Sequence, residues 1–191
     1  MPVRYFKRYR MEFDARKQFL CEPVLPAGFE FVQWDNRFID AHATVKADSF
    51  SGEIDATVFP CLSHFAGCQK LMREIANGRN FLPAATWLIK HPSDIPTPRY
   101  CGTIQGMLRS NQLGAIQNIG ISPNCRGLGL GRAILIQSLL GFISSGASRV
   151  YLDVTAANNQ AVSLYHSLGF QILETSYLSV VVPEPSEVST L

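Results

Sequence analysis

The sequence predicts an α/β fold: a mixed, mostly antiparallel sheet of six or seven strands with one parallel pair, flanked by about four helices. Three observations predict it. Strand-length apolar runs bounded by Pro, Gly and Asn recur through the chain. Longer segments carry helical spacing or continuous apolar character. Between residues 115 and 154 a strand, a turn, a long apolar helix and another strand follow in order, and a right-handed crossover makes the two strands parallel. A chain of 191 residues suits one domain and can bury roughly 70% of its unfolded surface. We assign residues 1–182 to that domain, with 1–24 as an N-terminal extension forming a strand on the sheet and 183–191 as a flexible tail.

Taken in order, residues 4–16 alternate Tyr5, Lys7, Tyr9, Met11 and Phe13 with Phe6, Arg8, Arg10, Glu12 and Asp14, which predicts a strand. Its basic cluster, Arg4, Lys7, Arg8 and Arg10, reads as the solvated defence of a sheet edge. Beyond a break at 23–26, residues 28–34 read as a second strand. Residues 39–50 read as a helix with Ala43, Ala47 and Phe50 on one side, 51–60 as a loop, and 61–76 as a helix stopped by Asn77-Gly78. Strands at 85–90, 99–107 and 115–121 follow, separated by the loop 91–98 and the turn 110–112. Leu130 to Ile143 is apolar on nearly every side, which predicts a buried helix. Residues 149–154 are a strand, 158–168 a helix capped by Asn158 and stopped by Gly169, and 171–182 a last strand or pair.

The chemistry concentrates where the apolar strand runs through Ser122-Pro123-Asn124-Cys125 into Arg126-Gly127-Leu128-Gly129-Leu130-Gly131-Arg132. Alternate glycines remove side chains so that backbone can touch a ligand, and a helix start presents unpaired N–H groups and a positive dipole end. Arg126 and Arg132 add cationic donors. A ligand bearing a pyrophosphate fits. A Walker loop needs Lys and then Ser or Thr after its last Gly, whereas Gly131 is followed by Arg132-Ala133. The dinucleotide fingerprint sets G-x-G-x-x-G at the strand end. Here the spacing is G-x-G-x-G and Ser122 to Arg126 intervene, although Asp153 lies near the distance of a ribose-binding acid.

The spacing Arg126-x-x-Gly129-x-Gly131 resembles the coenzyme A loop of the GCN5-related N-acetyltransferase (GNAT) superfamily. Asn158-x-x-Ala161-x-x-Leu164-Tyr165-x-x-x-Gly169-Phe170 resembles a second motif of that family, in the right order and at the right interval. The resemblance covers about residues 100–170. It implies a GNAT fold, in which the strands before and after the Gly loop's helix splay apart and leave a wedge for the pantetheine arm. It implies an acetyl-CoA-dependent N-acetyltransferase acting on a primary amine by direct transfer in a ternary complex. Contacts to acetyl-CoA are then expected from Ile119, Gly120, Ile121, Arg126, Gly127, Leu128, Gly129, Leu130, Gly131, Arg132 and Asn158, with backbone N–H groups of 119–121 polarising the thioester carbonyl. Tyr165 is expected to protonate the departing thiolate, against the plain reading of an aromatic on a helix's apolar stripe; such an acid would titrate on the high-pH limb of the rate profile.

Some family members carry a Glu early in the strand before the Gly loop, where Gly114-Ala115-Ile116-Gln117 offers no acid. Among Glu53, Asp55, His42 and Glu174, the resemblance puts Glu53 and Asp55 in the acceptor pocket. A non-catalytic coenzyme A-binding or partner-binding member of the family stands as one alternative, and a nicotinamide-dependent oxidoreductase as another.

Composition excludes other classes. A net charge of +2 gives no basis for nucleic acid binding, and no apolar run reaches the length of a membrane span. The basic N-terminus lacks a signal peptide's apolar middle, and the five cysteines are odd in number and scattered, as reduced thiols are; both point to the cytoplasm. Cys61, His64 and Cys68 would share one face of the 61–76 helix, but no fourth ligand closes a tetrahedron, so no metal is expected. The expected partners are acetyl-CoA and an unidentified amine acceptor, for a monomer or homodimer.

Overall fold

A computed structural model of the protein describes residues 2–91 and 99–181; most of the expected loop 91–98 and the whole tail 183–191 lie outside the described residues. The chain forms β1 (Val3–Asp14), β2 (Glu30–Gln33), α1 (Ile39–Phe50), α2 (Ile54–Val58), α3 (Phe65–Ala76), β3 (Trp87–His91), β4 (Arg99–Ser110) and β5 (Leu113–Ile121). Then come α4 (Leu130–Ser144), β6 (Arg149–Thr155), α5 (Asn159–Ser167) and β7 (Gln171–Val181). The seven strands make one sheet in the order β2-β3-β4-β5-β6-β1-β7, antiparallel except for β5 with β6.

α4 covers one face of that sheet. Its Ile134, Leu135, Leu139 and Phe142 are fully buried against Ile104, Val150, Met11 and Phe13. Each such side chain contributes roughly 1.5–3 kcal/mol. The Phe142 ring sits over Gly106 and Gly114, and a Cβ on either glycine would collide with it. α1 and α3, with Leu62 from the turn before α3, form a smaller cluster that also includes Ala43, Cys68, Met72 and Ile75, with Phe50 packed against it.

Three expectations need correction. β1 is not an edge strand: it lies between β6 and β7, and β7 is the edge. Its charges are tolerated inside the sheet because acids and bases on neighbouring elements meet them, Arg10 with Asp153, Glu12 with Arg149 and Arg8 with Asp55, while Met11 and Phe13 point into the core. The segment 51–60 holds a fifth helix, α2, whose five residues are too short to carry a readable period. α3 begins at Phe65, not at 61, because Pro60–Ser63 forms a 3₁₀ turn and His64 is extended (φ −151°, ψ 153°). The face that Cys61, His64 and Cys68 would share therefore does not exist. The C-terminal segment, expected as a last strand or pair, forms a single strand.

The feature that positions the site is the parting of β5 and β6. They pair only over Leu113–Ile116 with Arg149–Leu152, after which β5 continues to Ile121 and β6 to Thr155 without each other. At the same point β4 and β5 slip register between Gln105 and Gly106, leaving Gln117 unopposed. Such a bulge bends a strand and ends its regular pairing.

Candidate active site

Two cavities, of about 290 and 300 Å³, meet where β5 and β6 part. One lies at the start of α4, lined by the Gly loop and α5; we refer to it as the loop cavity. The other, the sheet cavity, is lined by β1, β5 and β6 and walled by Phe59, Leu62 and Leu71. Phe50, Asp55, Ile119, Asn158, Ala161 and Tyr165 line both.

The Gly-loop wall of the loop cavity is backbone. Gly127 and Gly129 have φ of +77° and +78°, the left-handed region that side chains rarely adopt, and a Cβ on either would meet nothing within 4 Å. The space in front of them is open. The first bond of α4 runs from the Ala133 N–H to the Gly129 carbonyl at 3.1 Å, and the N–H groups from Gly127 to Arg132 have no acceptor among the described residues. A row of unpaired N–H groups at a helix start is an anion cradle. Arg132 stands beside it, its Nη1 donating to Ser167 Oγ at 2.9 Å. These residues fit a pyrophosphate.

Arg126 also lines the loop cavity, but its guanidinium is engaged by the protein itself. It donates to Glu53 Oε1 at 2.6 Å, to the Ser49 carbonyl at 2.8 Å and to the Ile121 carbonyl at 3.2 Å, so it ties the Gly loop to the end of α1. Glu53 thus lines the loop cavity and not the sheet cavity, where the sequence had suggested an acceptor role. Ile119, Gly120, Ile121, Gly127, Gly129, Leu130, Gly131 and Arg132 line the loop cavity as well, whereas Leu128 does not and is half exposed.

At the junction Asp55 accepts from Thr155 Oγ1 at 2.7 Å and from Asn158 Nδ2 at 3.2 Å. Arg8 donates to Thr155 Oγ1 at 2.9 Å and stands 3.8 Å from the carboxylate. Asn158 Oδ1 in turn accepts from the Ala161 N–H, the helix cap that the sequence predicts. Tyr165 is buried, with its ring 5.8 Å from that of Phe170. Burial, and then the negative charge of Asp55, push its phenol above the ordinary tyrosine range, so it stays protonated. Sequence reasoning missed Arg8 and Thr155. The available signal was the alternation of β1, which sets Arg8 opposite Met11 and Phe13.

The remaining acid–base candidates are elsewhere. His42 lines neither cavity; its Nδ1 meets Thr103 Oγ1 at 2.8 Å, and burial, then Lys46, push its pKa down to about 3. Glu174 lies on exposed β7. Lys46, one turn along α1 from His42, is fully buried and donates to Asn118 Oδ1 at 2.9 Å. Burial lowers its pKa to about 7, against the opposing effect of Cys68 and Cys61. Among the described residues no three His, Cys, Asp or Glu side chains cluster as metal ligands would, and no helix is long and apolar enough to cross a membrane.

Comparison with known proteins bears on this geometry. The model of the acetyltransferase (GNAT) family matches residues 64–170. A mycothiol acetyltransferase of Thermobifida fusca is 34% identical over 79 residues, 41% of this chain and 24% of that protein. The chain thus matches about a quarter of that relative's length. Among solved structures, a GCN5-related N-acetyltransferase from Sphaerobacter thermophilus superposes with a TM-score of 0.67 at 20% identity, over 93% of this chain and 51% of that one. The ribosomal-protein-S18-alanine N-acetyltransferase of Escherichia coli superposes with a TM-score of 0.59 at 15% identity, over 85% of this chain and 99% of the other. The fold is shared with both.

Proposed function

We propose, on the premise that this chain belongs to the acetyltransferase (GNAT) family, that it is an N-acetyltransferase moving an acetyl group from acetyl-CoA to a primary amine by direct transfer. One observation carries the reading: the anion cradle and a second cavity open onto the same pair, Asp55 and the buried Tyr165. Donor and acceptor can then enter from opposite sides and meet without a covalent enzyme intermediate.

When bound, acetyl-CoA supplies an activated acyl carbon and a thiol leaving group. The chain's part is to hold and to move protons. Gly127 to Arg132 hold the pyrophosphate through backbone N–H groups. Past Ile116, β5 has no β6 partner, and its backbone offers N–H donors for a carbonyl oxygen in the wedge. Asp55, fixed by Thr155 and Asn158, accepts an N–H from the incoming amine. Tyr165 donates its phenolic proton to the departing sulfur. Because that phenol is held above its usual range, the high-pH limb expected from the sequence moves beyond the range ordinarily assayed. The presence of both groups at the junction favours catalysis over mere coenzyme A binding.

An acceptor screen tests this: thiol release from acetyl-CoA should depend on an added primary amine, with the N-acetylated amine found by mass spectrometry. Thiol release that no amine accelerates would count against transfer.

A further inference from the structure

The sheet cavity has a charge pattern of its own. Strand side chains alternate, so Arg8, Arg10 and Glu12 of β1 share a face with Tyr151 and Asp153 of β6. Three arginines on that face are neutralised. Arg8 stands 3.8 Å from Asp55, Arg10 meets Asp153 at 2.9 Å while stacking on Tyr151 at 4.6 Å, and Arg149 lies 3.7 Å from Glu12. A fourth, Arg109 of β4, lines the cavity and has no acidic partner among the described residues.

Arg109 also sits at the far end. The cavity follows β5 from Ile119, at the junction with Asp55 and Tyr165, back to Ala115, which pairs with Met107 of β4 and Tyr151 of β6. Four residues of strand span roughly 13 Å. Between the ends Leu62, Leu71 and, beside Arg8, Phe59 give apolar surface, facing Gln117 and Asn118 of β5. An acid at one end, a cation without a partner at the other and methylene-compatible surface between them describe a bifunctional ligand.

We infer that the acceptor is a primary amine joined by an extended apolar spacer of roughly 10 Å to a carboxylate or phosphate, with the amine at Asp55 and the anion on Arg109. This rests on the acetyltransferase reading and names the substrate class for it. A guanidinium binds either anion through paired N–H donors.

The test follows thiol release from acetyl-CoA by the full chain with four acceptors: hexylamine, 1,6-diaminohexane, 8-aminooctanoate and 6-aminohexyl phosphate, the last two of matched reach. The two anionic amines should exceed hexylamine in kcat/KM by roughly ten- to a hundredfold, the scale of a hydrogen bond to a charged group. The faster of the two identifies the anion. Arg109→Ala should bring that ratio close to one, and Arg109→Lys should restore part of it. Arg109 is exposed, so both variants should fold. Hexylamine or the diamine serving as well as both anionic amines would overturn the inference. So would a preference that survives Arg109→Ala, or failure to acetylate either anionic amine by an enzyme whose melting temperature rises with acetyl-CoA. If acetyl-CoA does not bind at all, the acetyltransferase reading fails, and the inference falls with it.

Discussion

The two cavities that meet at Asp55 and Tyr165 are built on different principles. The anion cradle of the loop cavity is a backbone object: two glycines with positive φ, a row of N–H groups without acceptors and Arg132, all within Gly127–Arg132. The sheet cavity is a side-chain object, assembled from β1, α2, α3, β4, β5 and β6, with partners 100 and 147 residues apart in sequence. A backbone site tolerates little variation in the chain that makes it, whereas a side-chain site can be re-specified one residue at a time. The first suits a common donor. The second suits an acceptor that differs from one relative to the next.

That contrast breaks most readily at Gly129. Gly129→Val forces a β-branched residue to φ of +78° and puts its methyls into the space in front of the cradle. Coenzyme A affinity should fall by more than about a hundredfold, on the scale of losing several hydrogen bonds to charged oxygens. Titration calorimetry checks it. Near-normal affinity would mean that the cradle does not face the ligand.

Asp55→Asn probes the other side. The amide keeps an oxygen for the Thr155 hydroxyl but loses its charge, and kcat/KM for the amine should fall by roughly a hundredfold. Coenzyme A should still raise the melting temperature. Loss of both together would show that the two cavities are one energetic unit.

Lys46 sharpens the comparison through stability. It stands behind Asn118, a lining residue of the sheet cavity, with its pKa lowered from 10.5 to about 7. Between those values the unfolded chain carries a proton that the folded chain lacks, so stability should rise with pH from about 7 to 10, by up to roughly 4 kcal/mol. Below pH 7 both states are protonated and the full cost of burying the charge is present. Lys46→Met should flatten that rise, while leaving Asn118 Oδ1 unpaired costs about 1–3 kcal/mol at every pH. Denaturant melts at pH 7 and 10 measure both.

The smallest effect is expected at Tyr165. Tyr165→Phe keeps the ring against Phe170 and should lower kcat about tenfold, since an alkyl thiolate with a pKa near 8.5 is already a tolerable leaving group. The pH profiles of the two proteins should have the same shape below pH 10. An unchanged kcat would return Tyr165 to the core.

What was legible in the sequence follows the same division. The Gly loop, the Asn158 cap and the Gly169 stop are local, each fixed by a backbone requirement that only a few residue types meet, and each was read directly. The order of strands and helices was legible for the same reason. The interior position of β1 was not, because the charges that argued for an edge are answered by Asp153, Asp55 and Arg149 on elements whose placement the local pattern does not encode. The chain from Arg8 through Thr155 to Asp55 crosses from β1 to β6 to α2, and α2 itself was too short to have a period. Asp55 was named as a candidate, but its partners come only from the fold.

The account rests on a coenzyme A site at the Gly loop, and a thermal melt of the purified chain tests that most directly. At acetyl-CoA about a hundred times its Kd the folded state should gain roughly 2.7 kcal/mol, a rise of roughly 5–10 °C for a domain of this size, while NADH at the same concentration should give none. A melt left flat by acetyl-CoA and by coenzyme A, or raised by NADH instead, would contradict it.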